Sequence, residues 1–295
     1  MATLNQWIAG ARPRTLPAAV APVAVGTGAS YLLPRGANLG YALLALLVAA
    51  LLQIGVNYAN DYSDGIRGTD EDRVGPVRLV GQRLATPSNV KLAAFIAFFW
   101  AAFCGFALIT LSSTWWLLLG GVASIWAAWK YTGGDKPYGY MGLGELFVFI
   151  FFGLVATLGT TYTQAKELNL ASIAGAIGVG ALAVAILLVN NLRDIPGDTV
   201  SGKRTLAVRI GDKATRTLFV AMYAVAAVVV VLIAIGHPYA ALGFVGLLPA
   251  ILPVRTVLSG KKGRDLVPAL AGAGLTSLTY GLALGLGLYL AFRLG

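Results

Sequence analysis

The chain has 295 residues, 58% of them hydrophobic and 12% charged, with a mean hydropathy of +0.77 and a formal charge of +10. That composition excludes an ordinary soluble domain. The single cysteine, Cys104, excludes an internal disulfide and a thiolate metal cluster. The N-terminal stretch "MATLNQWIAGARPRTLPAAVAPVAVG" reads as an interfacial entry into a first membrane span rather than a cleaved leader.

Apolar runs long enough to cross a hydrocarbon core then recur along the whole length. Nine spans are predicted: Leu16 to Leu33, Leu39 to Ala59, Leu92 to Leu111, Trp115 to Tyr131, Leu143 to Tyr162, Ala171 to Asn191, Thr217 to Ile235, Tyr239 to Val254 and Leu266 to Ala291. The expectation is one all-α polytopic membrane domain over residues 1–295. With the N-terminus and the loops after even-numbered spans on one side, that side holds 19 of the 22 Lys and Arg residues. The positive-inside rule therefore predicts a cytoplasmic N-terminus and cytoplasmic large loops, in the cell's inner (plasma) membrane. Part of this basic face answers to anionic headgroups of the lipid bilayer. Nucleic acid is not an expected partner, because the basic residues sit at helix ends beside carboxylates, with no reading domain around them.

The acids carry the functional argument. Asp61, Asp64, Asp70, Glu71 and Asp72 follow the second predicted span, and Asp194 and Asp198 follow the sixth. On a helix, Asn57, Asn60, Asp61 and Asp64 fall at offsets 0, 3, 4 and 7, one face. Two carboxylates and two amides together suit a hard cation bound by oxygen ligands, although a solvated connecting loop would also carry such charges. In "VNNLRDIPGDTVSGKRTLAVRIG", Asn190, Asp194 and Asp198 are spaced by four, and share a face if the helix persists through Pro196. Both clusters leave the membrane on the same side, a weak parallel internal repeat. Carboxylate patches beside Arg67, Arg73, Arg78, Lys203 and Arg204 suit an anion bridged by Mg²⁺, and at a membrane surface that points to a lipid diphosphate.

At these residues the sequence resembles the UbiA superfamily of intramembrane aromatic prenyltransferases. The resemblance spans nearly the whole chain, through "ARPRTLPAAVAPV", "NDYSDGIRGTD", "YTGGDKPYGYMGLGE" and "NNLRDIPGDTVSGKRTLAVRIG". It implies nine helices around a central cavity under a cytoplasmic cap, two Mg²⁺ ions and transfer of a polyprenyl group from a polyprenyl diphosphate. Asn57, Asp61, Asp64, Asp194 and Asp198 match its metal–diphosphate motifs, and Lys203 and Arg204 the basic residues after the second. The run "DRVGPVRLV", with six residues from Asp64 to Asp70, is similar to the menaquinone branch, whose acceptor is 1,4-dihydroxy-2-naphthoate and whose product is a demethylmenaquinone formed with loss of carbon dioxide.

The substrate-binding set expected on this basis is Asn57, Asn60, Arg67, Arg73, Tyr131, Tyr138, Glu145, Asn190, Arg193 and Arg204, around the catalytic Asp61, Asp64, Asp194, Asp198 and Lys203. Tyr131, Tyr138 and Tyr140 also suit interfacial anchors, Glu145 a helix start, and Arg12 and Arg14 an orienting pair. The alternatives are a prenyltransferase of another aromatic acceptor such as 4-hydroxybenzoate and, more remotely, an ion-coupled transporter. A transporter would place its acids near the membrane midplane. A phosphatidyl-group transferase would gather them in one compact motif.

Overall fold

The computed structural model describes residues 2–68 and 77–295. Among them there is no strand. Seven helices are long and apolar enough to cross a membrane: Leu39–Ile66, Pro87–Ser112, Gly144–Ala165, Leu170–Val200, Leu206–Gly236, Pro238–Leu258 and Gly263–Leu294. The other two expected crossings coincide with the helices Pro17–Ser30 and Leu117–Lys130, of 14 residues each. At 1.5 Å per residue these extend about 21 Å, short of a ~30 Å hydrocarbon core.

Local chemistry sets where the long helices begin. Asn38 caps Leu39–Ile66 by accepting the Tyr41 N–H, and Thr86, followed by Pro87, caps the next helix through Asn89. Asn169 and Ser172 form a reciprocal capping box ahead of Leu170–Val200. Thr205 caps Leu206–Gly236 through Val208.

Leu170–Val200 is the axis of the fold. Within its most apolar stretch 78% of residues are buried, against 22% to 44% for the other six long helices. Small residues permit that burial. A Cβ added at Gly153 would stand 2.5 Å from the Gly180 Cα, and one at Gly178 would stand 2.3 Å from the Tyr280 hydroxyl. A second apolar cluster, built on Tyr58, Leu79, Val90, Ala94 and Phe98, packs beside the C-terminal end of Leu39–Ile66. Outward faces stay apolar, with Phe99, Trp100, Phe103 and Phe106 exposed along Pro87–Ser112, as expected of a surface solvated by lipid.

Helical structure continues through Pro196, so Asp194 and Asp198 do share a helical face. A π-helical turn interrupts Gly144–Ala165 at Phe149–Val155. Phe147, Phe151 and Phe152 from this helix face an internal cavity.

Candidate active site

A cavity of about 950 Å³ lies between the two motif helices, a size suited to a small-molecule or cofactor site. One end is polar, lined by Asn57, Asn60, Asp64, Arg78, Asn190, Asn191, Arg193 and Lys203. The other is apolar, with Pro22, Leu52, Val56, Phe151, Phe152, Ile186 and Leu187. Asp64 is the one carboxylate among the described lining residues, whereas Arg12, Arg14, Arg78, Arg193, Lys203 and Arg264 all reach the wall. The polar end is therefore built for an anion.

Asp64 is 2% exposed and sits at the centre of a charged cluster. Tyr140 donates its hydroxyl to Asp64 Oδ1 at 2.7 Å. Arg78 Nη2 and Lys203 Nζ each lie 3.9 Å from Oδ2. The Tyr140 ring faces the Lys203 ammonium at 4.9 Å and the Arg67 guanidinium at 5.3 Å, within cation–π range. Lys203 also joins the two motifs, because its backbone N–H donates to the Asp198 carbonyl at 2.8 Å while its side chain reaches Asp64.

The other expected residues divide by what holds them. Asn60 accepts from Thr132 Oγ1 at 2.8 Å. Asn57 lines the cavity, with its amide nitrogen donating to Ala11 O at 2.8 Å and Thr15 Oγ1 at 3.0 Å. Tyr131 and Tyr138 line the cavity and meet edge to face at 5.5 Å. Tyr138 also stacks on Phe147 at 3.9 Å and donates to Ala127 O at 2.8 Å. Burial pushes its phenol up from the usual tyrosine value, which keeps it protonated. Asn190 accepts from Arg193 at 2.9 Å, and Glu145, buried but not on the wall, accepts from Asn191 at 2.9 Å.

Asp61, Asp194, Asp198, Arg67 and Arg204 are not among the residues lining the cavity. Asp61 is fully buried and accepts two backbone N–H groups, from Leu79 at 2.6 Å and Val80 at 3.0 Å. At about 100° per residue, Asp61 points some 60° away from Asp64 around the helix, toward that segment and off the cavity. Asp194 holds its neighbour Arg193 through two parallel hydrogen bonds of 2.7 and 2.8 Å. Asp198 accepts weakly from Thr205 Oγ1 at 3.5 Å. Arg67 is a strut, donating to the carbonyls of Thr132 and Gly134 at 2.5 Å each. Arg204 is exposed, and its N–H donates to Tyr140 O at 3.1 Å. Arg73 and Asp70 lie outside the described residues.

The sequence offered Tyr140 as an interfacial anchor, outside the expected substrate-binding set, and gave no sign that it ties the two motifs together. Arg12 reaches the wall from a left-handed backbone, φ 53°, rare for a non-glycine residue. No group of three His, Cys, Asp or Glu able to hold a metal occurs among the described residues. The donors at the polar end are all oxygens or cations. That set fits a hard divalent ion bound through one or two carboxylates and completed by phosphate oxygens, not one held in an all-protein cage.

The sequence profile described as the UbiA prenyltransferase family matches residues 19–270. A Mycobacterium tuberculosis protein, 1,4-dihydroxy-2-naphthoate octaprenyltransferase, is 52% identical over 283 residues, covering 96% of each chain. The Escherichia coli protein of the same description is 43% identical over 213 residues, covering 70% of this chain and 68% of the other. Among solved structures, a UbiA homolog from Archaeoglobus fulgidus bound to DMAPP and Mg2+ superposes with a TM-score of 0.61 at 16% identity, over 96% of this chain and 99% of that one. An apo UbiA homolog from Aeropyrum pernix gives 0.68 at 16% identity, over 92% and 96%.

Proposed function

The chain belongs to the UbiA prenyltransferase family, and on that premise we propose that it transfers a polyprenyl group from an allylic diphosphate to 1,4-dihydroxy-2-naphthoate in menaquinone biosynthesis. The relatives at 52% and 50% identity, both described as 1,4-dihydroxy-2-naphthoate octaprenyltransferases, support this acceptor. The observation that carries the chemistry is the cavity's polarity: a wall rich in cations with one carboxylate, opening directly into an apolar, aromatic-lined space. A diphosphate head and an isoprenoid tail match those two halves.

The bond between the allylic carbon and its diphosphate oxygen breaks, and the electron pair leaves with diphosphate. Lys203 and Arg193 stand where they stabilise that departing charge, an electrostatic contribution already in place before reaction. Tyr131 and Tyr138 place aromatic rings on the wall beside an electron-poor allylic carbon, where a cation–π contact is worth about 0.5–2 kcal/mol, and the apolar wall excludes water that would trap it. The naphthoate ring carbon bearing the carboxylate forms the new C–C bond. Carbon dioxide then departs, leaving its bonding pair to restore the aromatic ring, so no protein base is required. The product is the prenylated 1,4-naphthalenediol, the reduced form of a demethylmenaquinone.

A Mg²⁺ serving this chemistry would be held by Asp64, with Asn57 and Asn60 beside it on the wall and with Asp198 of the second motif reaching it from behind the wall; bound there, it would neutralise charge on the diphosphate oxygens. Asp61 and Asp194 act instead through the partners they hold. Structures of a UbiA homolog from Archaeoglobus fulgidus bound to DMAPP and Mg2+ and to GPP and Mg2+ support divalent metal use.

The chain is a multi-pass membrane protein, and we place it in the plasma membrane as one domain, its N-terminus and site cytoplasmic, on the charge asymmetry. Nine crossings under a cytoplasmic cap require Pro17–Ser30 and Leu117–Lys130 to cross as well, helped by thinning of the bilayer or by their flanks.

The deciding experiment is a competition between 1,4-dihydroxy-2-naphthoate and 4-hydroxybenzoate for one polyprenyl diphosphate, with purified protein and products identified by mass. A prenylated naphthalenediol lacking the carboxylate is the expected product. Prenylated hydroxybenzoate with its carboxylate intact would overturn the acceptor assignment.

A further inference from the structure

Residues 77–85 are folded tightly onto the end of Leu39–Ile66. Arg83 N–H donates to Val80 O, Leu84 and Ala85 N–H both donate to Leu79 O, and Gln82 N–H donates to Arg78 O. Leu79 is fully buried and Val80 nearly so, in the cluster around Tyr58, Val90 and Phe98. Approach is possible only because two glycines stand beneath them. A Cβ at Gly65 would lie 2.5 Å from Val80 Cβ, and one at Gly10 would lie 2.9 Å from Leu79 Cδ1.

Both oxygens of Asp61 close the clasp, one on each of the successive N–H groups of Leu79 and Val80. A buried carboxylate used this way is strongly fixed, since charge-assisted hydrogen bonds are about twice as strong as neutral ones. The residue immediately before the clasped pair is Arg78, which is 4% exposed, reaches the cavity wall and lies 3.9 Å from Asp64.

We infer that Arg78 contacts the diphosphate of the substrate and that Asp61 acts through it, as the anchor that clasps residues 77–85 onto the helix end and so aims the Arg78 guanidinium at the polar end of the cavity. Asp61 is thus a positioning residue, and Asp64, one turn on, is the carboxylate that faces substrate. The inference rests on the prenyl-transfer reading of the cavity. Its chemistry is ordinary: a planar guanidinium offers parallel N–H donors to phosphate oxygens, which lysine cannot reproduce.

The test uses full-length protein in detergent without added metal. Hydrogen exchange at the Leu79 and Val80 amides is followed first. Asp61→Asn should speed it at least tenfold, because an amide side chain cannot accept both N–H groups as the carboxylate does. Asp64→Asn should leave it unchanged. Gly65→Ala, which lifts the same segment without touching Asp61, should reproduce the effect and serves if Asp61→Asn fails to fold. Binding of inorganic pyrophosphate is followed second. Arg78→Ala should weaken it at least tenfold with amide protection intact, and Arg78→Lys should recover it only in part. The double variant Asp61→Asn/Arg78→Ala should bind no more weakly than Arg78→Ala alone, as expected when one residue acts through the other.

Undiminished protection at Leu79 and Val80 in Asp61→Asn, or effects of Asp61→Asn and Arg78→Ala that multiply, would overturn the inference. Pyrophosphate binding by the unaltered protein that is indifferent to Arg78 would do the same. Absence of pyrophosphate binding in the unaltered protein, with Mg²⁺ added as well as without it, would instead remove the prenyl-transfer reading beneath it.

Discussion

The helix ends at Asn57–Asp64 and Asn190–Asp198 look like copies in sequence, each closing a long apolar helix with amides and two carboxylates. In the structure they divide the labour. At the first, Asp61 is committed to the backbone of residues 79–80 while Asp64 stands in the cavity among Tyr140, Arg78 and Lys203. At the second, Asp194 is committed to Arg193, and it is that arginine, with Asn190, that reaches the wall. In each pair one carboxylate acts by orienting a cation. The matching spacing reflects helix geometry; the roles follow from what packs alongside.

The largest effects should separate two carboxylates that look equivalent in sequence. Asp64→Ala removes the charge that touches substrate, and kcat should fall by about 10²–10³-fold or more, the range for a single preorganised electrostatic contact, with a smaller loss of thermal stability than in Asp194→Ala, because Arg78 and Lys203 stand 3.9 Å from Asp64 rather than in paired hydrogen bonds. Asp194→Ala leaves the Arg193 guanidinium, whose side chain is 3% exposed, with Asn190 but without its carboxylate partner. Breaking a buried pair in this way costs roughly 3–5 kcal/mol, so the loss should appear first as a lowered melting temperature in detergent. Equal stability losses in the two variants would erase the distinction. A second measurement sharpens it: exhaustive chelation of divalent ions should abolish turnover, and restoring half-maximal rate should need more Mg²⁺ in Asp64→Asn than in Asp61→Asn. The opposite order would return Asp61 to the metal.

A smaller effect is expected at Tyr140, which has no counterpart in the second motif. Tyr140→Phe keeps the ring beneath Lys203 and Arg67 and deletes only the hydroxyl on Asp64. A hydrogen bond to a charged group contributes about 1.5–3 kcal/mol, so kcat/KM should fall by roughly 10–100-fold. An unchanged kcat/KM would mean that the tyrosine serves only as packing.

How far the sequence could be read follows from the same contrast. Helix positions, the all-helical class and the exit of both motifs on one side of the membrane follow from periodicity and apolar length, properties of the chain alone. The family resemblance was legible for the same reason, as contiguous motifs. The uses of individual carboxylates were not, because Asp61 is claimed by a segment 18 residues away and Asp64 by a tyrosine 76 residues away. Helical offsets gave Asp61 and Asp64 one shared face, yet the angle between them was wide enough for one to turn to a loop and the other to the cavity. Tyr140 sat in plain view in "YGYM", but an interfacial anchor and a site residue have the same sequence signature. The 14-residue helices Pro17–Ser30 and Leu117–Lys130 were drawn longer than they are, since apolar Leu32 and Leu33 follow the point where Tyr31 ends the first, and Trp115 and Trp116 precede the start of the second.

The finest distinction rests on two glycines. Gly65 lies beside Asp64, and Gly197 occupies a comparable place beside Asp198. An alanine at Gly65 would put its methyl 2.5 Å from both Cβ and Cγ1 of Val80. A β-branched side chain with little χ1 freedom cannot swing clear, so the clasped segment must lift and kcat/KM should drop. Nothing lies within 4 Å of a Cβ built at Gly197, which is exposed and helical. There the intrinsic preference decides: alanine exceeds glycine by about 1 kcal/mol in a helix interior, less near the end at Val200. Gly197→Ala should therefore raise thermal stability slightly and leave kcat/KM unchanged. The comparison breaks if the order reverses, with Gly197→Ala losing activity and Gly65→Ala tolerated, because the tight packing would then belong to the second motif and the first would be the open one.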